Sequence, residues 1–493
     1  MYITEALNGI EYECDADISN IIFDRISSDR NNIEPGTLFV LVKGINFNTD
    51  AIIDYIIARR PCAIVCDKDR NIACEIPIIR VNDARRSLAC LYSNYFKIDY
   101  SATRFIGVTG TNGKTTTATM IYEIMKHAGY KSGFIGTGKI EIMGRCLSDR
   151  MYSMTTPDPA LLYGSIASMQ SEGCEVIIME VSSHALALGR VAPIPFSHSV
   201  FTNLSAEHLD FHGDMESYYK TKLSLFAQSE AGIFNADDEY SARAMRECAE
   251  VCHVSAIGIL WDADAMARDL ILYDLHGSSY IYREASLIFK VKLKPAGYYN
   301  VYNSMLALRC AISFGVRPYI AKEAINGMDG IDGRLEVIHD DVIVIIDYAH
   351  TEKAFENVLK TVNSAKRMSQ RLITVFGCGG DRDKSKRPKM AAVAERLSDL
   401  VIVTQDNPRT ESESAIISDI LEGFEAPERR RVISSRKSAV TSAIMNADDS
   451  DIVLVLGKGH ERYNIDASGY HDYDEREIIR QALEQRRSAR AKT

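Results

Sequence analysis

A glycine-rich loop with the chemistry of a phosphate-binding site follows an apolar segment at residues 105–109 and precedes a helix-like stretch. Its residues are Gly110, Thr111, Asn112, Gly113, Lys114, Thr115 and Thr116. Glycines let backbone N–H groups approach phosphate oxygens, and the helix N-terminus adds the positive end of its dipole. Lys114 is suited to reach the β- and γ-phosphates, and the Thr115 hydroxyl to ligate Mg²⁺. The loop predicts nucleotide binding. Gly110 lies closer to Gly113 than in the usual GxxxxGK(S/T) spacing, and a glycine-rich turn without a ligand is the alternative.

The loop belongs to a series of short apolar segments that each end in polar residues or glycine. Most are rich in β-branched residues, and they cover residues 105–109, 176–181, 342–347, 372–376, 400–404 and 452–456. Helix-like stretches such as residues 115–128 and 386–396 alternate with them. This alternation is typical of parallel strands joined by crossover helices. Ligands of such α/β folds gather at the carboxyl ends of the strands, so the residues after each segment are the candidate site residues.

The chain is too long for a single hydrophobic core, since it has 493 residues. Residues 1–98 have an α/β pattern of their own, a new strand begins near Thr103, and Gly and Asp residues cluster at 329–334. We therefore predict three domains, at residues 1–98, 99–334 and 335–493. The basic residues from Arg486 onward predict a frayed terminus.

The composition is that of an ordinary soluble globular protein, with 46% apolar and 25% charged residues. We find no apolar run of about 18 residues, which argues against a membrane span, and no signal-peptide pattern after Met1. Eleven cysteines without a CxxC pair favour buried, reduced thiols over zinc or disulfides. A net charge of −10 argues against nucleic-acid binding but not against small anionic substrates. We expect a cytoplasmic monomer that acts on small molecules.

A carboxylate, Glu180, ends the apolar segment at residues 176–180. A strand-end carboxylate beside a phosphate loop suits Mg²⁺, which keeps several waters, whereas a solvated acid is the alternative. The loop with its GTNGKTT sequence resembles the phosphate loop of the Mur ligases, the amide-forming ligases of cell-wall synthesis. The resemblance implies an α/β protein of three domains. These are an N-terminal UDP-sugar-binding domain at 1–98, a central P-loop domain with a parallel sheet at 99–334, and a Rossmann-like, amino-acid-binding domain at 335–493.

The resemblance also implies a metal site and three catalytic residues, Lys114, His208 and Lys222. Thr115, Glu180, His208 and Lys222 would be the Mg²⁺-associated residues, with Lys222 carrying a carbamate as an anionic oxygen ligand. Because CO₂ adds to a neutral amine, such a site must favour the neutral lysine. From the sequence alone a hydrogen-bonding histidine and an exposed helical lysine are the alternatives, and Lys220 is the competitor of Lys222.

Three residues beyond the loop match nucleotide-binding positions of the family. Asn303, in Tyr-Asn-Val-Tyr-Asn, would contact ATP, Arg334 would reach its phosphates, and Asp347, in Asp-Tyr-Ala-His, would lie by the ribose. Arg334 and Asp347 belong to different predicted domains, so the resemblance implies that ATP is held between the central and C-terminal domains. Closure there would protect an acyl phosphate from water.

Three segments after predicted C-terminal strands resemble the Mur ligases that add the third residue of the cell-wall peptide. Their candidate residues are Arg382, Asp406, Asn407, Pro408, Arg409, Gly457 and Glu461. The Asp-Asn-Pro-Arg form resembles the branch that adds meso-diaminopimelate. Arg382 and Arg409 would pair with its distal carboxylate, while Glu461 and the Gly457 backbone would accept from its ammonium group. The implied function is ATP-dependent addition of meso-diaminopimelate to UDP-N-acetylmuramoyl-L-alanyl-D-glutamate, in peptidoglycan precursor synthesis.

The residues expected to hold the muramyl peptide are Thr155, Thr156, Ser182 and Arg190. The first domain matches the family less well: Asp29-Arg30-Asn31 stands where Asp-Ser-Arg is usual, and residues 44–48 also depart from the pattern. Two alternatives therefore stay open. One is a related ligase that adds L-lysine or acts on another carboxylate carrier, of folyl-polyglutamate, pseudomurein or natural-product type. The other is a non-catalytic nucleotide-binding regulator, which the filled catalytic positions disfavour.

Overall fold

The computed structural model describes residues 1–43, 52–147 and 154–491, so the atypical segment at residues 44–48 lies outside the described residues. The chain forms two compact units. The first unit contains residues 1–109, 129–199 and 221–231, and the second contains residues 110–128, 200–220 and 232–493. The division into three domains stays a prediction. Within the described ranges, no helix is both long and apolar enough to span a membrane.

Helices and strands alternate through most of the chain. The helices are α1 (Ile3–Ala6), α2 (Ile53–Ala58), α3 (Ala84–Tyr95), α4 (Lys114–His127), α5 (Pro159–Ser171), α6 (Ser183–Ala187), α7 (Leu209–His212), α8 (Met215–Leu223), α9 (Glu239–Cys248), α10 (Tyr298–Phe314), α11 (Pro318–Gly327), α12 (Glu352–Ala365), α13 (Lys386–Leu397), α14 (Glu413–Leu421), α15 (Arg436–Met445) and α16 (Glu475–Arg490). The strands are β1 (Tyr12–Cys14), β2 (Arg25–Ser27), β3 (Thr37–Val40), β4 (Ala63–Asp67), β5 (Ile78–Val81), β6 (Arg104–Thr109), β7 (Ser132–Gly136), β8 (Lys139–Ile142), β9 (Arg145–Cys146), β10 (Val176–Glu180), β11 (Phe196–Phe201), β12 (Ser229–Asn235), β13 (His253–Gly258), β14 (Ala265–Leu272), β15 (Ser278–Glu284), β16 (Leu287–Leu293), β17 (Glu336–His339), β18 (Ile343–Asp347), β19 (Leu372–Phe376), β20 (Leu400–Val403), β21 (Arg430–Val432), β22 (Ile452–Leu456), β23 (Tyr463–Asp466) and β24 (Gly469–Asp472).

The first unit holds a five-stranded sheet in the order β1-β5-β4-β3-β2, parallel except for β1. It also holds β10 between β6 and β7, with all three strands parallel. Every residue of β10 is buried, which explains its continuous apolar run, because a central parallel strand is covered on both faces. In this register Glu180 lies beside Val108, so the carboxylate stands at the carboxyl end of the strand, as predicted.

The second unit holds a six-stranded sheet in the order β17-β18-β22-β19-β20-β21, parallel except for β17. Buried residues of α12, α13 and α14 form one hydrophobic cluster with the sheet, and those of α15 and α16 form a second. Ile345 belongs to the first cluster, whereas Val344 and Ile346 belong to the second, so β18 is covered on both faces. This doubly wound arrangement confirms the predicted α/β class and gathers the segments after β18, β19, β20 and β22 at one edge.

The C-terminus differs from the sequence prediction, because α16 extends to Arg490. Arg486 is only 2% exposed; its Nε donates to Asp341 at 3.0 Å and its Nη1 to the Ile444 carbonyl at 2.8 Å. The prediction of a frayed terminus is therefore wrong for residues 486–490. A buried charged side chain whose N–H groups donate to neighbouring elements fixes the end of its helix against the protein.

Candidate functional site

The predicted phosphate loop joins β6 to α4, which begins at Lys114. Gly113 has φ +83°, a backbone conformation that favours glycine. A Cβ there would also lie only 2.5 Å from Asn303 Oδ1, so a side chain would not fit. The Asn112 N–H donates to Asn203 Oδ1 at 3.1 Å. Lys114 Nζ donates to the carbonyl oxygens of Gly110 at 2.9 Å and Thr111 at 2.7 Å. The loop is thus held in one conformation by its own lysine and by the segment after β11.

A cavity of about 450 Å³ opens beside this loop in the second unit. It brings together six of the predicted nucleotide-binding residues, namely Asn112, Gly113, Thr116, Asn303, Arg334 and Asp347. Tyr298, Tyr302 and Lys353 also line it and were not predicted. Its size suits a small-molecule ligand such as a nucleotide.

Arg334 and Asp347 are held in place around this cavity. The Arg334 Nη2 donates to Thr115 Oγ1 at 3.1 Å, so the arginine reaches the first turn of α4. The Asp347 carboxylate accepts from the N–H groups of Leu335 and Ala349, each at 2.7 Å. Burial raises the pKa of Asp347, while the charge of Arg334 opposes that rise. Asp347 therefore fixes the backbone that carries Arg334, in addition to lining the cavity.

Glu207 is a buried carboxylate that sequence reasoning missed. Its oxygens lie 3.4 Å from His350 Nε2 and 3.8 Å from His208 Nε2. Burial alone would raise the pKa of Glu207, but the hydrogen bond with His350 and the charges of His208, His350 and Lys114 hold it well below its usual range. The sequence feature that could have identified Glu207 is its position directly before His208. The predicted His208 thus has an anionic neighbour on one side.

The predicted acceptor residues Asn407, Glu461, Arg409 and Arg382 come together at the carboxyl edge of the six-stranded sheet. Asn407 Nδ2 donates to Glu461 Oε2 at 2.9 Å, and the Tyr348 hydroxyl donates to Glu461 Oε1 at 3.2 Å. Arg409 Nη1 donates to the Gly380 carbonyl at 2.8 Å. Burial, and after it the positive charge of Arg409, lower the pKa of Arg382. Arg382, Arg409 and the Glu461 carboxylate thus bring charges of both signs to this edge of the sheet.

The other three predicted acceptor residues support this pocket from behind. Asp406 is buried, its Oδ1 accepts from the Asn407 N–H at 2.7 Å, and its oxygens lie 3.8 Å from Lys458 and from Arg436. Pro408 precedes Arg409, whose φ of +53° is unusual for an arginine. Gly457 has φ +110°, and a Cβ there would lie 2.6 Å from Asp406 Oδ2.

The first unit brings the predicted muramyl-peptide residues together around Glu180. Thr156 Oγ1 donates to the Glu180 carbonyl at 2.8 Å and accepts from the Ser182 N–H at 3.0 Å. Arg190 Nη1 donates to the Thr156 carbonyl at 2.8 Å. Thr155 Oγ1 accepts from Thr137 Oγ1 at 3.2 Å. The fully buried Glu180 carboxylate accepts from the Thr137 N–H at 2.8 Å, so its orientation is defined.

The two competing lysines of α8 differ in their surroundings. Lys222 is 1% exposed, so the alternative of an exposed helical lysine is wrong for this residue. The Lys220 side chain is 70% exposed and its Nζ lies 3.7 Å from Glu216. Burial thus distinguishes Lys222 from Lys220 in the way that the family resemblance anticipated.

Comparison with known proteins agrees with this geometry. Residues 108–311 match the Mur ligase middle domain, and residues 333–459 match the Mur ligase, glutamate ligase domain. The UDP-N-acetylmuramoyl-L-alanyl-D-glutamate–2,6-diaminopimelate ligase of Clostridioides difficile (strain 630) is 38% identical over 471 residues, covering 94% of this chain and 96% of the relative. The ligase of the same name from Clostridium perfringens (strain 13 / Type A) is 36% identical over 491 residues, covering 98% and 100%.

A solved structure of a UDP-N-acetylmuramoyl-L-alanyl-D-glutamate–2,6-diaminopimelate ligase is similar over 96% of this chain and 97% of its own, with a TM-score of 0.67 and 29% identity. Sequence and fold agree over nearly the whole length. The chain belongs to the Mur ligase family, among relatives that are named as diaminopimelate-adding ligases.

Proposed function

We propose that this chain catalyses the ATP-dependent addition of meso-diaminopimelate to UDP-N-acetylmuramoyl-L-alanyl-D-glutamate, a step of peptidoglycan precursor synthesis. The observation that carries the proposal is the acceptor pocket, where Arg382 and Arg409 lie together near the Asn407–Glu461 hydrogen bond. The names of the full-length relatives point to the same reaction.

The charges of the pocket favour diaminopimelate over lysine. The distal end of diaminopimelate carries a carboxylate and an ammonium group, which complement the two guanidinium groups and the Glu461 carboxylate respectively. Lysine lacks the distal carboxylate and would leave the guanidinium groups of the exposed Arg382 and the partly buried Arg409 without this anionic partner. Selectivity that rests on unpaired polar groups is stronger than selectivity for an apolar group of similar size.

The nucleotide would occupy the cavity beside the phosphate loop. Loop N–H groups and Lys114 would bind the phosphates, Arg334 would reach them from its place beside Thr115, and Asn303 and Asp347 would contact the rest of ATP. Fixed positive donors around the transferred phosphoryl group stabilise the charge that develops there without costly reorganisation.

Thr115 and His208 of the second unit are candidate Mg²⁺ ligands, and so, in the first unit, are Glu180 and Lys222, the latter as a carbamate. Among residues 1–43, 52–147 and 154–491, no preassembled group of three His, Cys, Asp or Glu side chains could hold a metal ion. When bound, Mg²⁺ neutralises phosphate charge. Lys222 is 1% exposed, so its amine is shielded from bulk water.

The reaction proceeds in two displacements. An oxygen of the substrate carboxylate, held near Thr155, Thr156, Ser182 and Arg190, attacks the γ-phosphorus of ATP, and ADP leaves with the bridging oxygen. The neutral amine of diaminopimelate then attacks the acyl carbon, phosphate leaves with the former carboxylate oxygen, and the nitrogen loses a proton. Lys114 would donate to the transferred phosphoryl oxygens in the first displacement.

Oxygen labelling tests this mechanism. With ¹⁸O in the substrate carboxylate, one labelled oxygen is expected in the released phosphate, with ADP as the nucleotide product, and only when the muramyl dipeptide and diaminopimelate are both present. Label in AMP, or turnover with a folate or another carboxylate carrier in place of the muramyl dipeptide, would contradict the proposal. Since its substrates are small soluble molecules, we further propose that the protein is a cytoplasmic monomer. Light scattering of the purified protein tests the monomeric state.

A further inference from the structure

Lys458 is a fully buried lysine to which the proposed reaction gives no role. It follows β22, is 0% exposed, and its Nζ donates to Asn407 Oδ1 at 2.9 Å and to the Tyr463 carbonyl at 2.9 Å. The same Nζ lies 3.7 Å from Glu461 Oε2 and 3.8 Å from Asp406 Oδ1. Because it is buried behind the pocket, Lys458 does not contact the acceptor itself.

Lys458 and the Ile465 N–H together fix which way the Asn407 amide points. Asn407 Oδ1 accepts from both Lys458 Nζ and the Ile465 N–H, at 2.9 Å and 3.0 Å. An ammonium group can only donate, so the amide oxygen must face Lys458. The amide nitrogen is therefore turned toward Glu461 Oε2, 2.9 Å away. A flipped amide would face its oxygen to Glu461 and its nitrogen to two donors, and would lose all three hydrogen bonds.

The Glu461 carboxylate depends on the same arrangement. Burial and the negative charge of Asp406 raise the pKa of Glu461, whereas Lys458, Asn407 and the Tyr348 hydroxyl oppose that rise. Asn407 and Tyr348 each donate to one of its oxygens, which defines the direction of the remaining lone pairs. Lys458 thus acts on Glu461 twice, through its charge and through the orientation of Asn407.

A purely structural role is already filled by a neighbouring ion pair. Arg436 donates from Nε and Nη2 to the two oxygens of Glu475, each at 2.8 Å, and from Nη2 to the Leu456 carbonyl at 2.9 Å. This pair joins α15 to the start of α16 beneath the sheet. Lys458, by contrast, donates to the side chain of Asn407, one of the proposed acceptor residues.

We propose that Lys458 is a positioning residue that sets the affinity for the amino-acid acceptor, by holding the Asn407 amide and the Glu461 carboxylate in the orientation that receives an ammonium group. This inference rests on the proposed function, because it concerns the same acceptor pocket. Lys458 would influence binding of diaminopimelate while leaving binding of ATP unchanged.

The test uses Lys458→Met and Lys458→Gln in the full-length protein, each also in an Asn407→Ala background. Methionine removes the donor, whereas the glutamine amide can turn either way and no longer dictates how Asn407 points. The matched control is Lys437→Met, since Lys437 is an exposed lysine of α15. The KM values for meso-diaminopimelate and ATP, kcat and the thermal unfolding midpoint are measured for each variant.

We expect Lys458→Met to raise the KM for diaminopimelate at least about tenfold and Lys458→Gln by a smaller factor, with the KM for ATP changed less than about twofold. In the Asn407→Ala background the same changes should have little further effect, because residues in one hydrogen-bond network are not additive. The Lys437→Met control should match the wild type.

Three results would overturn the inference: an unchanged KM for diaminopimelate, equal rises for both substrates, or an undiminished effect in the Asn407→Ala background. Failure of Lys458→Gln to fold would also contradict it, because Lys458 would then be a structural residue. A wild-type protein that does not use diaminopimelate would overturn the proposed function instead, and the two failures are therefore distinguishable.

Discussion

Two arginine side chains, Arg382 and Arg409, lie near each other where we propose that the amino-acid acceptor binds. Arg409 lowers the pKa of the neighbouring Arg382, after the larger effect of burial, so the two cations repel each other when no anion lies between them. A carboxylate at that place would remove the repulsion and accept hydrogen bonds from both groups. We therefore expect the selectivity of the proposed acceptor site to depend on these few charges.

Arg409→Ala tests this pairing. We expect the KM for meso-diaminopimelate to rise about ten- to a hundredfold, because a charge-assisted hydrogen bond contributes about 1.5–3 kcal/mol. The KM for ATP should hardly change. Arg396→Ala is the control, since the side chain of Arg396 is 62% exposed on α13. A parallel rise in both KM values would mean that Arg409 supports the fold and not the acceptor.

Lys114→Ala tests the phosphate loop. Loss of the ammonium group should lower kcat at least about a hundredfold, because a fixed donor to the transferred phosphoryl group would be missing. The thermal unfolding midpoint should stay near that of the wild type. Lys126→Ala provides the control on the same helix, where Lys126 pairs with Glu123 at 2.9 Å. A nearly normal rate for Lys114→Ala would contradict the assignment of the loop.

Lys222→Ala tests the proposed carbamate. We expect turnover to fall to a small fraction of the wild-type rate and to recover partly when formate or acetate is added, because a small carboxylate can occupy the vacated anionic position. Lys220→Ala should keep nearly normal turnover, since that side chain is 70% exposed. Normal turnover of Lys222→Ala, or no bound CO₂ on Lys222 by mass spectrometry of the native protein, would count against the carbamate.

At the scale of elements, the strands could be predicted far better than the surroundings of their end residues. The predicted segments at 372–376 and 452–456 coincide with β19 and β22, because strands covered on both faces leave an unbroken apolar run. The helical periodicity could not show that Lys222 is buried while Lys220 is exposed, since that depends on what packs against α8. The same limit explains why the burial of Arg486 was not predicted. Its partners, Asp341 and Ile444, are more than 40 residues away in the chain.

The turn from the phosphate loop into α4 gives an element-scale prediction. Gly113→Ala should raise the KM for ATP at least about tenfold, because alanine is strained at φ +83° and its Cβ would lie 2.5 Å from Asn303 Oδ1. Gly129→Ala is the matched control: Gly129 follows α4 with φ +90°, but an added Cβ there meets no atom within 4 Å. The control should lose some stability and keep its KM for ATP. Equal KM values for both variants would show that the contact with Asn303 is unimportant.

For the whole molecule, the candidate residues for the three substrates are distributed between the two units. The first unit contains the cluster around Glu180 that we assign to the muramyl peptide, while the second contains the nucleotide cavity and the acceptor pocket. The family resemblance could be recognised from the sequence because its motifs are short continuous segments that directly follow strands. The supporting residues Glu207, Tyr348 and Lys458 were not assigned roles, since only the fold shows which charges they face.

The most direct test of the proposed function is a side-by-side assay of the wild-type protein with meso-diaminopimelate and L-lysine. Each assay contains UDP-N-acetylmuramoyl-L-alanyl-D-glutamate, ATP and Mg²⁺, and the muramyl tripeptide formed is measured by mass spectrometry. We predict a kcat/KM for meso-diaminopimelate at least about a hundredfold above that for L-lysine, because lysine leaves the two guanidinium groups unpaired. Equal use of the two amino acids would contradict the assignment of the acceptor pocket.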